Sequence, residues 1–262
     1  MKILLIGCGN LGRALLTAWK PNQKKYEVLI VQPSLSAQAL FPSFHFVRDV
    51  SEIPTDFNPD SVIIAIKPQQ FQEALPQYSM YLSTSLVISF AAGISIACLE
   101  TYLGQNKRCV RVMPNVAMKI GKSVNLAYGD DSFLSLKDRV LAEDILTVTG
   151  SFFWLKTESL IEDLTPISAS GPAYFFMLSD ILVQLAMESG LEESLSRELV
   201  QKTFLGSAAL ASPPYSFREM ISSVASKGGV TEAALKALTP DFSDLMKRAY
   251  ESAASKLKTL GK

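Results

Sequence analysis

Up to about residue 115, short runs of apolar residues alternate with stretches whose apolar positions recur at helical spacing. The runs at 3–6, 28–31, 44–47, 62–66, 86–90 and 109–112 read as strands, and 11–19, 70–78 and 96–103 as helices, the last closed by Gly104. Strands that are apolar almost throughout and separated by helices imply a parallel sheet covered on both faces. After Gly121 the pattern loosens, with strands expected at 123–128 and 152–155 around a helix at 136–147. Beyond Glu158 strand signals nearly vanish, and helices are expected at 173–189, 195–211, 216–223, 232–238 and 242–260. The pattern therefore divides the chain into an α/β domain over 1–157 and an all-α domain over 158–262.

The segment 173–189 begins after Pro172, where a first-turn proline belongs, and stops at Gly190. Its polar stripe is narrow, essentially Asp180, Gln184 and Glu188. A helix this apolar in a water-soluble chain must be covered nearly all round. A second copy of the chain is the expected cover, which makes the C-terminal domain a dimerisation domain. The alternative is the central helix of a monomeric bundle.

Charge narrows the partners. Lys plus Arg equal Asp plus Glu at 25 each, so no net field draws the chain to nucleic acid or an anionic membrane. The uncharged stretch 77–99 holds six serines and threonines and divides into a strand and a helix start, so it is not read as membrane-spanning. Only Ile3 to Ile6 separate Lys2 from the first glycine, too short for a secretion signal. Cys8, Cys98 and Cys109 lack metal-ligand spacing, and each is expected to be a small buried apolar residue. A cytoplasmic protein without a metal site is expected.

Gly7-x-Gly9-x-x-Gly12 directly follows an apolar strand and opens a helix, the context in which this spacing binds a dinucleotide. Gly7 permits the tight turn, Gly9 the approach of backbone to pyrophosphate, and Gly12 the packing of helix on strand. The α/β domain is thus expected to be Rossmann-type, with Ile6 to Gly12 (Ile6, Gly7, Cys8, Gly9, Asn10, Leu11, Gly12) holding the cofactor. Twenty residues past Gly12, where an acid would read the NAD ribose, stands Gln32, then Pro33 and Ser34. With no carboxylate to repel a 2′-phosphate and Ser34 able to donate to it, NADP (as NADPH) is expected over NAD. No arginine is present there to clamp the phosphate either. Ala65, Ile66, Lys67 and Pro68 end one strand, and Ala91 and Ala92 end another, both where ligands approach open α/β sheets. Lys67 reads equally as a solvated charge before a proline turn. Asn115 is a candidate for contact with nicotinamide or substrate, whereas Arg111, inside an apolar strand, is expected to pair structurally.

A second glycine-hinged helix start lies at Ser226-Lys227-Gly228-Gly229-Val230-Thr231. Backbone N–H groups and the helix dipole make such a place an anion site, here for a small carboxylate. Thr231 reads equally as the helix N-cap. His45, the single histidine, sits at the strand end away from the cofactor and is not expected to act.

Together these motifs resemble the pyrroline-5-carboxylate reductases over essentially the whole chain. The resemblance rests on residues 7–12, 65–69, 89–94, 111–115, 170–174 and 226–231, the last two being the more specific. It departs from the family at Lys227, often proline, at Val230, often threonine or alanine, and at Ala169, commonly glycine. The resemblance implies reduction of the cyclic imine 1-pyrroline-5-carboxylate to L-proline with NAD(P)H. It implies that Ser226, Gly228, Gly229, Val230 and Thr231 hold the substrate carboxylate and ring, with Ser226 and Thr231 as the catalytic pair. It also implies a homodimer with an active site completed between subunits, and some members form a ring of five dimers. The competing readings are a β-hydroxyacid dehydrogenase, which would need Lys202 or Lys227 for acid–base work, and a non-catalytic NADPH-binding regulator.

Overall fold

Alternate residues of β1 (Lys2–Ile6) face opposite sides of the sheet: Ile3 and Leu5 enter one core, Leu4 and Ile6 the other. That burial on both faces is what a strand apolar from Ile3 to Ile6 requires. The computed structural model describes residues 1–211 and 214–260, so the ends of the expected helical domain at 261 and 262, and residues 212 and 213, lie outside the described residues. Parallel to β1 run β2 (Glu27–Val31), β3 (His45–Val47), β4 (Ser61–Ile64), β5 (Leu86–Ser89) and β6 (Cys109–Met113). β7 (Ser123–Tyr128) then pairs antiparallel with β6, and β8 (Gly150–Trp154) parallel with β7. Among the described residues the sheet order is β3-β2-β1-β4-β5-β6-β7-β8. Strand order reverses between β1 and β4, the switch point at which such sheets bind nucleotides.

Two helical layers cover the sheet. One core takes Leu15, Leu16 and Trp19 from α1 (Asn10–Trp19) and Ala142, Ile145 and Leu146 from α5 (Leu136–Leu146). Trp19, fully buried, donates its indole N–H to the Ile145 carbonyl at 2.9 Å, so the largest side chain in this core carries no unmet donor. The opposite core takes Phe71 from α2 (Phe71–Ala74), Leu82 from α3 (Ser79–Leu82), and Leu99 and Leu103 from α4 (Ile96–Leu103). The single helix expected over 70–78 is instead a string of short turns, because Pro76 denies it a backbone donor in mid-course. The strand expected over 62–66 stops at Ile64, which leaves Ala65 and Ile66 in the turn beyond it.

By packing, the chain forms two compact units, Met1–Ser170 with Ala253–Lys262, and Gly171–Ser252. The sequence boundary at 157/158 follows the loss of strand signals, whereas α6 (Ser159–Ser168) packs with the sheet unit. Its tie is ionic. Arg111 of β6, buried, pairs with Glu158 at 3.0 Å and with Glu162, and Glu158 also accepts the Ile96 N–H at 2.7 Å. The structural pairing expected of Arg111 is thus observed.

The second unit contains α7 (Gly171–Glu188), α8 (Glu193–Leu210), α9 (Phe217–Val224) and most of α10 (Val230–Leu260). The two helices expected at 232–238 and 242–260 are one. Pro240 removes a backbone donor, yet the helix runs through it, with the Thr239 hydroxyl donating to the Leu235 carbonyl at 2.7 Å. Among the described residues of this unit, Gly171, Val183, Ser196 and Val200 are the buried ones. Phe175, Phe176, Met177, Leu178, Ile181, Leu182 and Leu185 of α7 are all exposed, as a helix awaiting a partner should be.

Cys8 and Cys109 are buried as expected, but Cys98 is exposed, because it lies on the outer side of α4. Among the described residues no helix is long and apolar enough to cross a membrane, and no cluster of side chains is suited to hold a metal ion.

Candidate functional site

The three glycines after β1 do three different things. Gly7 has φ +92°, and a Cβ there would stand 2.6 Å from the Ile66 side chain and 3.0 Å from the Ala65 carbonyl. A Cβ on Gly12 would lie 2.6 Å from the Gly7 carbonyl, so helix and turn touch backbone to backbone. Gly9 faces open space. Turn, close packing and an uncovered backbone are the features a pyrophosphate needs at this place, so the residues present fit a dinucleotide. Gly9 serves as N-cap of α1 without a side-chain hydrogen bond, which leaves the first N–H groups of the helix available to an anion.

Main-chain bonds gather the neighbouring strand ends. The Gly7 N–H donates to the Val31 carbonyl at 3.0 Å, and the Ala65 N–H to the Ile6 carbonyl at 2.8 Å. Ile6, Gly7, Cys8, Ala65 and Ile66 are therefore brought together at the switch point, with Asn10, Leu11 and Gly12 in the first turn of α1. Lys67 is exposed, forms no ion pair among the described residues, and opens the turn Pro68–Gln70 by donating its N–H to the Gln70 side chain at 3.2 Å. Ala91 and Ala92 follow β5, the Ala91 N–H bonded to the Ser89 hydroxyl at 3.3 Å. Burial pushes the Cys8 thiol up, an effect opposed in part by Arg13, so it is no nucleophile at neutral pH.

A cavity of about 650 Å³ opens beside α1, bounded by Asn10, Leu11, Phe90, Met113, Pro114 and Asn115 among others. Its size suits a small-molecule site. Asn115 borders it, but its amide is already engaged, accepting from the Ala117 N–H and donating to the Ser168 carbonyl, each at 3.0 Å. Asn115 thus caps the turn Val116–Ile120 while remaining on the cavity wall.

Past β2 the structure differs from the expectation. The Gln32 side-chain oxygen accepts the Cys8 N–H at 2.6 Å, and the Ser34 and Ser36 hydroxyls lie 3.2 Å apart. An arginine does stand here: Arg13, from the first turn of α1, reaches to 3.5 Å from the Ser36 hydroxyl. Counting along β2 could not find it, because it arrives from another element. Its one trace in the sequence is a cation directly after Gly12, where a first helical turn favours acids.

In the second unit, α10 begins at Val230, so Thr231 is an early helical residue and not the N-cap. Its hydroxyl is exposed and bonds to no other side chain or carbonyl among the described residues. Gly228 has φ +77°, and a Cβ on Gly229 would fall 2.6 Å from the Ser226 hydroxyl, so the loop closes tightly round Ser226. Ser226, Gly228, Gly229, Val230 and Thr231 therefore form one short turn at a helix N-terminus. One feature was not anticipated. Glu232 folds back to accept the Gly228 N–H at 2.7 Å, its other oxygen 3.4 Å from Lys236. A carboxylate already rests against the turn expected to hold one.

Residues 158–260 match the family model described as pyrroline-5-carboxylate reductase dimerisation, and residues 2–93 the model described as NADP oxidoreductase, coenzyme F420-dependent. The chain is 30% identical to the pyrroline-5-carboxylate reductase of Aquifex aeolicus (strain VF5), over 91% of this chain and 89% of that one. Among solved structures it is similar to a pyrroline-5-carboxylate reductase from Coxiella burnetii, with TM-score 0.90 and 29% identity over 99% of this chain and 98% of the other. It is also similar to the Plasmodium falciparum pyrroline carboxylate reductase solved with NADP bound, with TM-score 0.85 and 25% identity over 100% and 98% of the two chains.

Proposed function

Because this chain belongs to the pyrroline-5-carboxylate reductase family, we propose that it reduces 1-pyrroline-5-carboxylate to L-proline with NADPH. The observation that carries the reading is the pairing, in one chain, of a glycine turn that fits a dinucleotide with a second, at the head of α10, that fits a carboxylate.

The reduced nicotinamide supplies the hydride. The N–H groups at the start of α10, with Ser226, Gly228, Gly229 and Val230, hold the substrate carboxylate and the edge of its ring. Thr231, the second residue of α10, orients the imine nitrogen and relays its proton, a reading its unengaged hydroxyl supports. A protonated imine already carries positive charge, so attack at its carbon asks for orientation more than for a strong acid. This fits a chain in which His45, the single histidine, is exposed at the start of β3. Lys202 and Lys227, which hydroxyacid chemistry would require, are exposed.

Two copies pair through the helical unit, whose uncovered α7 supports that reading, and the active site is completed in the dimer. The ring of dimers extends the same proposal, and a decameric mass in solution would establish it. The protein's place is the cytoplasm, a reading its three free thiols support.

The test is direct. Adding 1-pyrroline-5-carboxylate to enzyme and NADPH should consume NADPH and yield L-proline in equal amount. No NADPH loss, beside active oxidation of a hydroxy acid with NADP, would reject the assignment.

A further inference from the structure

We propose that Arg13 is the residue that selects NADPH over NADH, by clamping the 2′-phosphate together with the hydroxyls of Ser34 and Ser36. The inference rests on the dinucleotide reading of the glycine turn and adds to it a residue from α1. The end of β2 is where the fold presents the adenosine ribose, and an acid there would accept the 2′-hydroxyl of NAD. In its place Gln32 turns its side-chain oxygen onto the Cys8 N–H at 2.6 Å, so no negative charge faces the ribose from that position. Two hydroxyls follow, those of Ser34 and Ser36, 3.2 Å apart, and the Arg13 guanidinium lies 3.5 Å from the second.

Arg13 is poorly satisfied as it stands. Among the described residues it has no carboxylate within ion-pair distance, and its Nε is shielded from solvent without a hydrogen-bond partner. A guanidinium does not shed its proton, so a half-buried one with an unmet donor calls for an anion. A phosphate monoester meets that need, taking two parallel N–H donors from one guanidinium while its remaining oxygens accept from hydroxyls. Arg13 leaves the same helical turn whose N–H groups face the pyrophosphate position, so it brings positive charge to the one end of the cofactor where NADPH and NADH differ.

The experiment is calorimetric titration of wild type, Arg13→Met, Arg13→Lys and Ser36→Ala with NADPH, NADH, 2′,5′-ADP and ADP, in the absence of imine. Arg13→Met should weaken NADPH and 2′,5′-ADP by about 10- to 100-fold while leaving NADH and ADP within about twofold. Arg13→Lys should recover part of the loss, and Ser36→Ala should weaken the phosphorylated ligands alone. The salt dependence of NADPH affinity should flatten in Arg13→Met. Unchanged NADPH affinity in Arg13→Met, or an equal loss for NADPH and NADH, would overturn the proposal, the second pattern marking a residue that merely shapes the loop. Wild type binding neither dinucleotide would overturn the cofactor site itself, and no imine turnover with normal NADPH binding would strike only the substrate reading.

Discussion

Phe176 offers the sharpest test of the helical unit. It lies near the start of α7 and is 59% exposed in the single chain. Burying a phenylalanine fully contributes about 1.5–3 kcal/mol, so covering the remaining surface of Phe176 should contribute about 1–2 kcal/mol per copy. In a two-fold dimer each substitution counts twice, giving about 2–4 kcal/mol for Phe176→Ala, or roughly 30- to 700-fold in dissociation constant. Phe176→Asp should cost more, since a carboxylate would have to be desolvated in the interface. Sedimentation velocity over a dilution series, with circular dichroism to follow helix content, measures it. A wild type that stays monomeric with its helical unit intact would refute the reasoning, as would a Phe176→Asp dimer as tight as wild type.

Other outcomes follow from the same geometry. Thr231→Ala should lower kcat by one or two orders of magnitude, about 1.4 kcal/mol for each tenfold, and leave NADPH affinity unchanged; unaltered turnover in the folded variant would remove Thr231 from the catalytic pair. Glu232→Ala should free the Gly228 N–H and lower the KM for imine by about three- to tenfold at constant kcat, because an internal carboxylate no longer competes for the turn. A raised KM would make Glu232 a supporting cap instead. Burial pushes the Cys109 thiol up to about 12, and burial, helped by Asp49, pushes the Tyr78 hydroxyl up to about 12 as well. Their neutral forms are favoured by folding, so this contribution to stability is complete below about pH 9 and drains away as pH rises toward 12. Thermal melts from pH 8 upward should show a falling Tm, with a shallower fall in Cys109→Ala.

Most of the sheet was legible because both-face burial writes itself as unbroken apolar runs, as in Leu29, Ile30 and Val31. The glycine turn was legible for a related reason. Gly7 and Gly12 answer to steric limits that spacing alone encodes. Features built across distant segments were not. Arg13 meets Ser36 from another element, and the Glu232 carboxylate reaches back four residues to occupy Gly228. Local rules also lost to helix continuity at Pro240, where a breaker within a 31-residue helix did not break it. Thr231 shows the same limit on a smaller scale, since a helix starting one residue before it turns a cap into an exposed hydroxyl.

As proposed above, the turn from Ser226 to Thr231 holds the substrate's carboxylate opposite the nicotinamide. A crystal structure of the enzyme with NADP and L-proline tests it most directly. The proline carboxylate should lie on the N–H groups at the head of α10, with Glu232 displaced and the ring nitrogen within hydrogen-bond reach of Thr231. Proline bound to other residues, with that turn remote from every nicotinamide in the assembly, would contradict it.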